Sequence, residues 1–92
     1  MIHVLVRHKV MEYSKWKEVF DEHANLRKMA GSKGGRLFRN EKNSNDVAIL
    51  LEWDDMTRAR KFFEAEDLNR VMERAGVLDK PDIFFEVEKV AV

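Results

Sequence analysis

Apolar and polar residues alternate with a period of two at the start of the chain. Ile2, Val4, Val6, His8 and Val10 fall on one side, and His3, Leu5, Arg7 and Lys9 on the other. A strand points successive side chains to opposite faces, so this stretch predicts a first β-strand. The period then lengthens: Trp16, Val19, Phe20, His23, Leu26 and Ala30 recur at helical spacing. They predict one helix, capped by the Ser14 hydroxyl and stopped by Gly31, with Ser32 to Gly35 as the loop beyond. Arg36 to Asn40 predict a second strand. The polar stretch Glu41 to Asp46 reads as a hairpin turn, and Val47 to Trp53 as the third strand. Asp54 or Asp55 caps the next helix, where Met56, Ala59, Phe62 and Phe63 share a face. A separate short helix starts at Asp67, with Leu68, Val71, Met72 and Ala75 on its apolar side, and ends at Gly76, where Val77 folds back onto Met72. After Pro81, the residues Ile83, Phe85 and Val87 alternate with Phe84, Glu86 and Glu88 as a last strand.

The elements give an α+β fold of order β-α-β-β-α-β with an extra short helix before the last strand, a single domain over residues 1–92. Helices on one side of the sheet would cover Ile2, Val4, Val6, Ile49, Leu51, Trp53, Ile83, Phe85 and Val87. The other side would present His3, Leu5, Arg7, Ala48, Leu50, Glu52, Phe84 and Glu86. It is too apolar for open solvent and too charged for an ordinary core. Its mixture of bases and acids suits a self-complementary two-fold contact, so a homodimer is expected.

Composition narrows the partners. The 17 basic and 17 acidic side chains cancel, which leaves no general pull toward nucleic acid or an anionic membrane. The longest apolar run, Ala48 to Leu51, is far too short to span a bilayer, and no signal-peptide pattern follows Met1. With no cysteine, neither disulfides nor thiolate metal sites are available, and a cytoplasmic location is expected. An RNA-recognition domain of the same element order would stack bases on aromatic residues of its first and third strands. Here the first strand has none and the third has only Trp53 at its end.

The candidate chemistry is sparse. His8 lies on the Val4/Val6 side near the end of its strand, and an imidazole there is either a general base or a hydrogen-bonded structural residue. Trp53 is a core filler or a pocket wall whose indole N–H needs a partner if buried. His23 sits on the apolar stripe of the first helix, as do Trp16 and Phe20. His3 and His8 point to opposite faces and cannot share a metal, so no metal is expected. Ser14, Ser32 and Ser44 lack a nucleophile-elbow context. Gly31 to Gly35 follows a helix instead of preceding one, the wrong side for a phosphate loop.

A strand ending in Glu52-Trp53-Asp54, the segment Ala59 to Phe63, and Ala75-Gly76-Val77 followed by Lys80-Pro81 together resemble the dimeric α/β-barrel superfamily. Within it the likeness is to the antibiotic-biosynthesis-monooxygenase-like group. The resemblance implies a ferredoxin-like protomer that pairs its sheet with a second copy's into a barrel, and ligands held between sheet and helices. Oxygenases of that group commonly carry an asparagine late in the first strand and a tryptophan ending the third, and the haem degraders a histidine on the later helix. Trp53 matches the tryptophan and His8 stands about where the asparagine would be. Leu68 to Ala75 contains no histidine, so neither haem nor any other cofactor is expected. The implied activity is that of a cofactor-independent monooxygenase or cyclase on a small aromatic compound. His8 and Trp53 would be its catalytic residues, and Trp16, Phe20, His23, Phe62 and Met72 would bind substrate. A non-catalytic ligand-binding regulatory or interaction module is the alternative.

Overall fold

The architecture is taken from a computed structural model that describes residues 2–85 and 90–92. The chain runs β1 (Ile2–Lys9), α1 (Tyr13–Glu22), α2 (Ala24–Met29), β2 (Ser32–Arg39), β3 (Asp46–Trp53), α3 (Met56–Glu64), α4 (Glu66–Arg74) and β4 (Asp82–Phe85). The four strands form one antiparallel sheet in the order β2-β3-β1-β4. This is the ferredoxin-like arrangement: α+β, with the two central strands β1 and β3 paired along their full length from Ile2↔Trp53 to Lys9↔Asp46. The expected strand positions Glu86, Val87 and Glu88 lie outside the described residues.

The face assignment follows the alternation in the sequence. Val4, Val6, Ile49, Leu51 and Trp53 are buried beneath the helices together with Val10, Trp16, Val19, Val47, Ala59 and Ala75. On the other face His3, Leu5 and Leu50 are half-buried, while Phe38 and Phe84 are each 53% exposed. Arg7 forms a two-pronged pair with the buried Asp46 there, at 3.1 and 2.7 Å. Those bonds hold the Asp46 carboxyl below its usual range.

Three local expectations are corrected. The single helix from Ser14 to Ala30 is two, broken at His23, whose backbone leaves the helical region at φ −95° and ψ 9°. Its ring Nδ1–H donates to the Val19 carbonyl at 3.0 Å, and a side chain that takes an i−4 carbonyl competes with the ladder. Ser14 is not the cap: α1 starts one residue earlier, and the Tyr13 N–H is taken by the Asn45 side-chain carbonyl at 3.0 Å, from the β2–β3 hairpin. Ser32 to Gly35 is strand with a register shift between Ser32 and Gly34, a bulge instead of a loop. Gly35 is needed there because a Cβ would run into the Leu50 carbonyl oxygen of β3. Elsewhere the local chemistry matches: Asp55 caps α3 by accepting the Thr57 N–H at 3.0 Å. At the end of α4, Val77 N–H bonds the Met72 carbonyl at 3.0 Å, as such stops do.

Candidate ligand cavity

Between the sheet and the helices lies a half-open cavity of about 470 Å³ with almost wholly apolar walls. Its floor is Val6, His8, Ile49 and Leu51, from β1 and β3. The alternation that buries Val4 and Val6 also turns His8 inward. α1 supplies Trp16, Val19 and Phe20, α3 and α4 supply Phe62, Phe63, Val71 and Met72, and His23 with α2 closes the remaining side.

His8 is the polar group at the bottom. It is only 8% exposed, and neither ring nitrogen has a hydrogen-bond partner; these are the two such buried atoms among the described residues. Burial pushes its pKa down to about 4, against a weaker upward pull from Asp46. At neutral pH the ring is therefore uncharged, with one N–H to donate and one lone pair to accept. An orphaned polar group in an apolar wall is costly, and a ligand atom that pairs with it recovers that cost.

Aromatic contacts extend from this histidine to the rim. His8 meets Trp16 edge-on at 5.5 Å, Trp16 stacks on Phe20 at 4.9 Å and 19°, and the Arg27 guanidinium carbon lies 3.7 Å over the Phe20 ring. The wall is flat and polarizable, matched to a planar molecule.

The structure brings His8, Trp16, Phe20, His23, Phe62 and Met72 together around this cavity. Trp53 is placed behind the lining instead of in it. It is fully buried against Phe62 and Phe63 at 5.2 and 5.5 Å, and its indole N–H donates to the Ala30 carbonyl at 3.0 Å. Arg27, absent from the residues expected at the site, also lines the cavity, and its signal is in the sequence: it stands two turns after Phe20 and one after His23, a cation on an apolar stripe. No group of three His, Cys, Asp or Glu side chains close enough to hold a metal occurs among the described residues.

The sheet order and helix placement define a ferredoxin-like fold of the antibiotic-biosynthesis-monooxygenase type, as the sequence resemblance implied. Solved structures with this fold include a candidate antibiotic biosynthesis monooxygenase from Bordetella bronchiseptica, with TM-score 0.79, 14% identity, and 97% of each chain covered. A candidate monooxygenase from Caulobacter crescentus superposes with TM-score 0.72 at 16% identity, over 96% of this chain and 90% of that one. SnoaB, a cofactor-independent oxygenase from Streptomyces nogalater, gives TM-score 0.72 at 15% identity, over 97% of this chain and 95% of its own. Likeness at these identities is one of fold. No protein-family model matches the sequence, and no curated protein matches it.

Proposed function

We propose that the chain is a single-domain cytoplasmic protein that binds a small aromatic molecule in this cavity and acts on it as a cofactor-independent monooxygenase or cyclase. The observation that carries the reading is the pair of unpartnered His8 nitrogens at the bottom of an apolar, aromatic-walled space. Trp16 and Phe20, stacked on one another, would present a flat wall to the ring, Phe62 and Met72 would close over it, and His23 would border it. Trp53 would act from behind by fixing the phenylalanines. The fold shared with a cofactor-independent oxygenase supports the same class.

In the oxygenase form, a phenolic hydroxyl of the substrate donates to the free lone pair of His8. An imidazole of pKa about 4 is a weak base, so the proton moves fully only as negative charge builds on the substrate oxygen and stabilises the imidazolium beside it. The electron-rich phenolate is then the reductant for dioxygen and gives up four electrons. One oxygen atom ends as a quinone carbonyl on the ring and the other leaves as water, so the substrate itself supplies the reducing equivalents. The same weak basicity favours the second reading, a binding module in which His8 only hydrogen-bonds its ligand.

The sheet face remote from the cavity supports a homodimer. Leu5, Ala48, Leu50, Phe38 and Phe84 form an apolar centre there, with the Arg7–Asp46 pair and the His3–Glu52 contact of 3.7 Å around it. No described helix lies on that side.

Hydroxylated naphthalenes and anthracenes, followed by oxygen uptake and by quenching of tryptophan fluorescence, test the proposal. His8→Leu should abolish uptake and weaken binding while the fold survives. Binding without turnover in the unaltered protein assigns the binding module instead. Absence of quenching by every compound sinks both.

A further inference from the structure

Arg27 occupies a position that the aromatic reading leaves unexplained. It is half-buried, lines the apolar cavity, and also lines a second depression of about 460 Å³ on its far side. The two spaces share Phe20, Arg27, Ile49 and Leu51, so Arg27 stacked on Phe20 forms the partition between them. One of its amino groups donates to the Phe20 carbonyl at 2.7 Å, an acceptor left over at the end of α1. Among the described residues no carboxylate lies within ion-pair distance of it. Asp21, whose charge acts on Arg27, is engaged by Lys17 at 2.6 Å. Asp67, the acid among the cavity-lining residues, faces Arg70 at 3.3 Å. The second depression has a floor of Leu37, Ile49 and Leu51, is bordered by Lys28 and Lys33, and is lined by no acid.

Burial of a cation without a counter-charge is unfavourable, and a guanidinium keeps several donors free for a planar or tetrahedral anion. We infer that the ligand is an acid: a flat apolar body lies along His8, Trp16 and Phe20, and a carboxylate or phosphate is held by Arg27 at the mouth, within the field of Lys28 and Lys33. This rests on the cavity being a ligand site and adds the chemical class of the ligand. His8 then serves an uncharged polar group at the buried end and Arg27 the charged one at the rim, so the ligand has a single orientation.

The test uses the full chain loaded with the neutral fluorophore N-phenyl-1-naphthylamine at pH 7.5. It is displaced by 2-naphthol, 2-naphthylacetate and 2-naphthyl phosphate, which share one ring system and differ in charge. A charge-assisted contact predicts that at least one of the two acids displaces at concentrations about 10- to 100-fold lower than the naphthol, with the preference shrinking in high salt. A stronger phosphate arm assigns a phosphoryl group reaching the lysines, and a stronger carboxylate arm assigns Arg27 alone; either upholds the inference. Arg27→Gln should remove the preference for the acids over 2-naphthol, whereas Arg27→Lys should keep part of it. Should Arg27→Gln fail to fold, the salt dependence and a Lys28→Gln/Lys33→Gln double variant, altered only at exposed positions, carry the test. Equal displacement by all three compounds overturns the inference and leaves the cavity reading standing. A preference for acids that neither salt nor any of these variants changes overturns the placement at Arg27. Failure of the fluorophore to bind overturns cavity and acid together.

Discussion

His8 links the chemistry of one side chain to the stability of the fold. In the unfolded chain its imidazole protonates near its ordinary pKa of 6.5, whereas in the fold it resists protonation down to about 4. Between those values the unfolded state binds the extra proton, so stability is lost as pH falls from about 6.5 to about 4, with no further loss from this group below that. Each pH unit across that window is worth about 1.4 kcal/mol, which makes the whole contribution on the order of 3 kcal/mol. Urea midpoints measured from pH 7 to pH 4 should therefore fall less steeply in His8→Leu than in the unaltered protein; parallel slopes would mean that the ring is hydrated. Trp53 gives the contrasting case. Trp53→Phe removes the donor to the part-buried Ala30 carbonyl, at a cost of about 0.5–1.5 kcal/mol. Affinity for 2-naphthol should change little, because Trp53 does not touch the cavity. The inward turn of His8 was legible from the alternation of its strand. The burial of Trp53 was legible too, but its place behind two phenylalanines and not in the cavity wall was not, because that depends on how α3 packs across the end of β3.

At the scale of elements, the helix break at His23 is local, while the other two departures have one physical origin: local signals were overridden by groups distant in the chain. Ser14 has the right chemistry for a cap, but Asn45, brought in by the hairpin, reaches the N–H of Tyr13 first. Asn45→Ala should therefore cost about 0.5–2 kcal/mol in thermal or chemical denaturation, in the range of a lost helix cap. Ser14→Ala should be neutral within about 0.5 kcal/mol; the reverse ranking would restore Ser14 as the cap. The glycine-rich stretch after α2 has the composition of a loop, and it forms strand because β3 offers a complete row of partners from Ser32↔Trp53 onward. The stop at Gly31 was legible, since its φ of +116° is one that glycine takes without strain.

For the molecule as a whole, the order of elements along the chain and the identity of the covered face could be read from two periods, 2.0 and 3.6 residues. The cavity could not be read from those periods, although the family resemblance put ligands between sheet and helices, because it is space left where bulky residues of four helices fail to meet the sheet. The uncovered face leads to an expectation about assembly. Sedimentation at micromolar concentration should give a dimer, and Leu50→Glu, which places a charge at the apolar centre, should give a folded monomer. A monomer in the unaltered protein would remove the barrel arrangement but not the cavity, which lies on the other side of the sheet.

The break at His23 leaves α2 with no buried residue of its own, and its Leu26 and Met29 are 55% and 76% exposed. Arg27 ties the segment to α1 through the Phe20 carbonyl at 2.7 Å, and at its far end Arg58 donates to the Met29 carbonyl at 2.8 Å and Trp53 to that of Ala30 at 3.0 Å. A wall with no buried residue of its own should open at a lower free energy than α1, which buries Trp16 and Val19. Backbone amides of residues 24–29 should exchange with deuterium faster than those of α1, and slow by about tenfold or more once a ligand packs against Leu26 and Met29. Ligand capture should then be limited by that opening and not by diffusion, so the observed association rate levels off as ligand concentration rises.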